Sequence, residues 1–172
     1  MQAIYEDENI LVLDKAAGIN ADDIPKRVHR LDKDTSGVLL VAKNDKALEF
    51  LQKQFQARKV EKKYIALVVG NLKNKGGIIE TLLGRSPKDK RKQKVFLPNE
   101  PGVEKIRRKA ITRYRVLQRF SAQGGPASGG ENYTLIEIEP LTGRKHQIRI
   151  HFAYLGHPLA GDRLYGFKNQ PC

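Results

Sequence analysis

The chain reads as an α+β protein, with a mixed, mainly antiparallel central sheet and flanking helices and loops. Three observations predict this class. Short apolar runs such as Gly37-Val38-Leu39-Leu40-Val41-Ala42 have the length and β-branched content of strands. Helices are indicated at only two places, about residues 46 to 58 and 144 to 155. Strands and helices also intersperse without the regular alternation that a parallel sheet with crossover helices requires.

Taken in order, Ile10-Leu11-Val12-Leu13 predicts a buried strand, bounded by acids before it and by Lys15-Ala16-Ala17-Gly18 after it. The run from Gly37 to Ala42 predicts a second. Asn44 or Asp45 can then cap the first helix, whose Leu48, Leu51 and Phe55 fall on one stripe. Tyr64-Ile65-Ala66-Leu67-Val68-Val69 predicts a third strand, ended by Gly70. The basic segment 85–115 predicts a strand-loop-strand excursion. Residues 112–120 and 133–139 suit two further strands. The glycine- and serine-rich SAQGGPASGGEN between them predicts a mobile hairpin loop, and it lacks the G-x-x-x-x-G-K-[ST] pattern of a phosphate-binding loop. The second helix is stopped by Gly156 and Pro158. No internal repeat is visible.

A length of 172 residues predicts a single domain over 1–172, large enough for a hydrophobic core. No run of about 18 apolar residues suits a membrane span. The opening MQAIYEDENILVLDK lacks the basic and apolar regions of a signal peptide. One cysteine, Cys172, excludes an internal disulfide framework and a cysteine-based zinc site, so a reducing, cytoplasmic setting is expected. The formal net charge is +13 and the pI about 9.9. It is unevenly spread, because residues 85–115 hold twelve Lys/Arg against three Asp/Glu. Such a surface concentrates polyanions and points to a nucleic-acid partner; a merely solvated basic face is the plainer alternative.

Several kinds of chemistry find little support. His146 and His151 stand five apart, off the three- or four-residue spacing that aligns side chains on a helix face. His29 and His157 lack a carboxylate at ligand spacing, so no metal is expected. Ser36 lacks the G-x-S-x-G elbow. Asp32, in VHRLDKDTSG, is more informative. It sits beside Arg30 and Lys33 at the entrance to a buried strand, where a carboxylate is held rigid yet accessible in a positive field. A turn acid with surface ion pairs is the plainer reading. Tyr64 opens a strand and can serve as a stacking platform, or simply as a sheet-end aromatic. Arg149 lies in the second helix with Ile148, Ala153 and Leu155. A half-buried arginine there needs an anion, and Asp32 is one possible partner.

Together these segments resemble the RluA family of RNA pseudouridine synthases. VHRLDKDTSGVLLVAKN (28–44) resembles the signature around that family's catalytic aspartate, and KKYIALVVG (62–70) the motif bearing its active-site tyrosine. LTGRKHQIRIHFAYLGHPLAGDRLYG (141–166) resembles the motif with the active-site arginine. EDENILVLDKAAGI (6–19) is similar to the opening strand, with KAAG where KPAG is expected. The resemblance implies the pseudouridine synthase catalytic fold. It also implies a reaction in which uracil is detached from C1′ of a uridine in ribosomal or transfer RNA, turned, and rejoined through C5. Neither cofactor nor metal is implied, and the protein is expected to act as a monomer. Asp32 would be the nucleophilic carboxylate, Tyr64 would stack on the target base, and Arg149 would pair with Asp32. Arg30 would fill the space left by the flipped uridine. His29 and Arg144 would contact RNA near the site, and Lys90, Arg91 and Lys92 would track phosphates.

The sequence also departs from the family pattern. Only nine residues separate Ile19 from His29, where the family places a longer segment with a helix. The chain stops at Cys172, where relatives continue into another strand, and Lys145 stands where threonine or serine is commoner. No S4-type RNA-binding module is expected. The rival readings are a non-catalytic RNA-binding or RNA-chaperone protein that keeps the fold, and a hydrolytic RNA enzyme. The trio of Asp32, Tyr64 and Arg149 argues against the first. The lack of a supporting His pair or acidic metal cluster argues against the second.

Overall fold

A computed structural model describes residues 1–97, 107–121 and 132–167. The chain divides into two compact units, Met1–Val60 and Glu61–Cys172. Among the described residues there are eight strands and two α-helices, and every strand pairing is antiparallel. The α+β class therefore holds, and the expected mixed, mainly antiparallel sheet narrows to wholly antiparallel pairing. No helix among these residues is long and apolar enough to cross a membrane.

The first unit is a three-stranded sheet of β1 (Gln2–Glu6), β2 (Ile10–Lys15) and β3 (Gly37–Ala42), in that order. β2 and β3 pair in continuous register from Ile10 with Ala42 to Lys15 with Gly37. That register puts Leu11, Leu13, Leu39 and Val41 on one face, where they pack with Ala21 and Ile24. Ala21 to Asp23 form a single 3-10 turn capped by the Asn20 side chain. The helix α1 (Asp45–Gln56) begins where expected. Asn44, rather than Asp45, is its cap, accepting the Ala47 N–H at 2.9 Å.

The second unit holds a five-stranded sheet ordered β4-β8-β7-β5-β6. Its strands are β4 (Tyr64–Val69), β5 (Gly76–Arg85), β6 (Gln93–Phe96), β7 (Arg108–Phe120) and β8 (Tyr133–Pro140). Thr134, Ile136, Ile138 and Pro140 alternate inward along β8, as Ala110, Thr112 and Tyr114 do along β7. On this inner face Val68, Leu72, Ile79, Tyr114, Ile136 and Ile138 close around Phe152 of α2 (Gln147–Tyr154). Fully burying side chains of this size stabilises the fold by about 1.5–3 kcal/mol each. At the end of β4, Gly70 adopts a positive φ of 83°, and a Cβ there would lie 3.0 Å from the His157 ring. Of the glycine- and serine-rich segment after β7, only Ser121 and Asn132 are among the described residues. The 98–106 part of the basic excursion also lies outside them.

Candidate active site

The first unit positions Asp32 through its backbone. Leu31 is buried beside it, and Thr35 donates its N–H to the Asp32 carbonyl at 3.0 Å, closing a turn. Gly37 then enters β3 at a φ of 125°, a conformation that L side chains rarely adopt. The firmest anchor is Lys15. It is fully buried, and its Nζ donates to the carbonyls of Ala16 (3.0 Å), Ile19 (2.7 Å) and Lys33 (3.0 Å). Gly18 N–H reaches the same Lys33 carbonyl at 2.9 Å. Burial lowers the Lys15 pKa, and the charges of Asp34 and Asp32 oppose that shift. Asp32 is thus fixed between a buried leucine and a clamped lysine backbone. The KAAG segment supplies the clamp, a role that its sequence alone did not reveal.

His29 and Arg30 precede this turn. His29 Nε2 accepts the Leu40 N–H at 3.2 Å, so that nitrogen is unprotonated, and the ring stacks on Phe55 of α1 at 4.8 Å. Arg30 is exposed, with Nη1 3.5 Å from Asp22 Oδ2.

The second unit carries Tyr64 and Arg149. Tyr64 opens β4 on the inner face and packs on the cluster that also takes Ile148 and Phe152 of α2. Arg149 is forked by Asp162, from Nε to Oδ2 at 2.7 Å and from Nη2 to Oδ1 at 2.8 Å. Asp162 is the buried member, its side chain only 4% exposed. Its Oδ1 also accepts the N–H groups of Leu164 (2.9 Å) and Tyr165 (3.0 Å). Burial acts to raise the Asp162 pKa. The Arg149 fork and the two backbone donors outweigh it, and the net pKa lies below the ordinary carboxylate value. The Tyr165 ring lies 5.1 Å from the guanidinium carbon. The half-buried arginine therefore has an anion from its own unit that sequence reasoning missed. Nη1 takes no part in the Asp162 fork.

A buried polar chain sets the helix that carries Arg149. Gln147 Nε2 donates to Thr112 Oγ1 (2.9 Å) and to the Ile111 carbonyl (3.0 Å). Its Oε1 accepts the Thr142 hydroxyl (2.7 Å) and the Arg144 N–H (2.9 Å). His151, fully buried, joins Thr112 at 2.8 Å and Thr81 at 2.9 Å. The expected helical start at 144 gives way to a turn, with His146 left-handed at φ 56° and α2 beginning at Gln147. Burial depresses the His151 pKa from 6.5 to about 4. Between those two values the unfolded chain binds more protons than the folded one, so stability falls as pH drops through that window. The full effect is roughly 3 kcal/mol. Urea unfolding near neutral pH and near the lower end of the window measures it. His151→Gln is expected to flatten the pH slope, and a slope equal to wild type would reject the assignment.

The basic residues divide by their company. Lys90, Arg91 and Lys92 lie in the β5–β6 turn, and Asp89 holds the Arg91 guanidinium through both carboxylate oxygens, at 3.1 and 2.9 Å. Arg91's side chain and backbone N–H, in that order, pull the Asp89 pKa down to about 2. Arg113 and Arg115 pair across strands with Glu139 and Glu137. Arg144 Nε donates to the Lys109 carbonyl at 3.1 Å, which ties that side chain to β7.

This architecture defines the class of a pseudouridylate synthase catalytic domain. The solved structure of human RNA Pseudouridylate Synthase Domain Containing 1 is similar with a TM-score of 0.82 and 29% identity, over 96% of this chain and 69% of that one. A family model described as RNA pseudouridylate synthase matches residues 6–154, and the chain belongs to that family, in its RluA-type branch. An uncharacterized RNA pseudouridine synthase of Aquifex aeolicus is 39% identical over 196 residues, 97% of this chain and 56% of the relative. The ribosomal large subunit pseudouridine synthase D of Borreliella burgdorferi is 40% identical over 193 residues, 95% of this chain and 54% of that protein. The chain thus spans about half the length of these curated relatives. Both aligned lengths exceed the chain's 172 residues, so each relative carries residues with no counterpart here.

Proposed function

We propose that this chain isomerises uridine to pseudouridine in structured RNA. The C1′–N1 bond breaks, the uracil turns within the site, the C1′–C5 bond forms, C5 loses its proton to solvent, and N1 takes one up. What supports this reading is Asp32, which lies in the VHRLDKDTSG stretch that resembles the family signature, its backbone held between buried Leu31 and the Lys33 carbonyl that Lys15 clamps. In this reading Asp32 acts as the nucleophilic carboxylate, and Tyr64 stacks on the flipped base and helps remove the C5 proton. Arg149, whose Nε and Nη2 are held by Asp162, is the arginine that pairs with Asp32 in this reading. Arg30 fills the space that the base vacates, and His29 and Arg144 contact the RNA. The uracil must leave its sugar without escaping, so a preorganised, closed pocket serves better than a strong acid. RNA is the partner, and no cofactor takes part. The protein is proposed to work as a monomeric cytoplasmic enzyme. The name of the Borreliella burgdorferi relative favours ribosomal RNA over transfer RNA as substrate.

Tritium release from RNA labelled at C5 of uridine tests the activity. Release with the purified chain supports it, and none on any cellular RNA favours a binding-only protein. Phosphate tracking by the β5–β6 turn has its own test. Reversing Lys90, Arg91 and Lys92 to glutamates is expected to weaken RNA binding at least about tenfold at low salt and to flatten the salt dependence. An unchanged affinity and slope would remove this turn from the interface.

A further inference from the structure

Arg30 and Arg27 share one anion, and it belongs to the protein itself. Asp22 Oδ1 accepts from Arg27 Nη2 at 2.7 Å, and its Oδ2 stands 3.5 Å from Arg30 Nη1. Each carboxylate oxygen thus faces a different guanidinium. A phosphodiester offers two non-bridging oxygens, and the arginine fork, here both Nη atoms of Arg27 turned toward Asp22, suits such recognition. The pair borders an open groove of about 400 Å³ whose other walls include Lys26, Val28, Leu48 and Gln52. Lys26 at the rim is likewise neutralised, by Asp45 at 2.8 Å. The groove therefore carries its own acids. Asp22 belongs to the short stretch between Ile19 and His29, where the sequence departs from its family pattern. The 3.5 Å contact is loose, and all three side chains of the cluster are at least a third exposed, so an incoming anion can displace the carboxylate.

We propose that Arg27 forms a seat for one RNA phosphate, that Asp22 occupies the seat as an internal stand-in until RNA displaces it, and that the same displacement frees Arg30 for the space left by the flipped uridine. This deepens the RNA reading given above and rests on it. The carboxylate then lowers RNA affinity by competition and subtracts one phosphate contact from the salt dependence of binding to the free protein.

The test is fluorescence anisotropy of a labelled RNA stem-loop with a uridine-containing loop, across a potassium chloride series. Asp22→Asn keeps the 3-10 turn, because the Asp22 backbone N–H, not its carboxylate, meets the Asn20 cap. It is expected to tighten binding roughly threefold to tenfold at low salt and to steepen the logarithmic salt slope by about one. Asp22→Ser serves as a second variant with the same expectation. Adding Arg27→Gln to Asp22→Asn should cancel both gains. Glu49→Gln removes the same charge from α1, where Glu49 pairs with Lys53, and sets the generic effect of one added positive charge. Equal gains from Asp22→Asn and Glu49→Gln overturn the seat. So does wild-type binding by Asp22→Asn while the Lys90, Arg91 and Lys92 reversal still weakens it, and in that case the RNA reading stands. If wild type and every variant fail to bind RNA, the RNA reading falls, and the seat with it.

Discussion

Replacing Asp32 by alanine is expected to remove tritium release from C5-labelled RNA, a loss of about 10⁴-fold or more, and to leave the chain folded. The two halves of this expectation rest on different atoms. The proposed chemistry needs the carboxylate. The turn is held by Leu31, by the Thr35 N–H bond and by the carbonyl of Lys33, all of which the alanine variant keeps. Its unfolding free energy should stay within about 1 kcal/mol of wild type, as for other partly exposed positions. Release that persists in the variant would refute the role assigned to Asp32. A collapsed unfolding transition would show instead that the carboxylate is part of the scaffold.

Arg149→Ala has the second largest expected effect, and it has two components. Turnover should fall by about 10²-fold or more, because a preorganised guanidinium is lost from the site. Stability should fall by about 3 kcal/mol, because Asp162 stays buried with only its two backbone donors. Arg149→Lys is expected to recover little of either, since one ammonium cannot occupy both arms of the Nε and Nη2 fork. Asp162→Asn separates the components. It keeps the shape, loosens the fork, and should lower kcat with KM little changed. A near-normal kcat in Arg149→Ala would sink the catalytic role and leave the fork as a structural pair.

The sequence made some elements legible for reasons that can now be named. β3 and β4 match their predicted runs residue for residue, because each is a continuous apolar run with a glycine at one boundary, Gly37 and Gly70. β7 and β8 alternate cleanly over most of their length, and only the β7 start was placed late. β1 was missed because all five of its residues are exposed, so no burial pattern marks it. β5 was missed because it opens on two glycines and mixes Glu80 and Thr81 with its apolar positions. The boundary of α2 depends on the left-handed His146 and on a glutamine that ties down the turn before it, which no periodicity encodes. At the site, the need for an anion beside Arg149 was legible from its apolar helix. Its identity as Asp162 was not, because that contact depends on how the chain folds back after α2. Likewise the short stretch after Ile19 was legible as a departure, but its pairing with Arg30 was not.

The Lys15 clamp bears on how this chain tolerates substitution. Every acceptor of its ammonium is a main-chain carbonyl, at Ala16, Ile19 and Lys33. The side chains at those three positions are not read, and KAAG in place of KPAG leaves all three acceptors in place. The lysine itself has no such latitude. Three convergent donors on one atom suit an ammonium, whereas arginine spreads its donors in a plane and methionine offers none. The ordering of the aspartate turn is therefore concentrated in one buried residue, while the segment that surrounds it is free to drift.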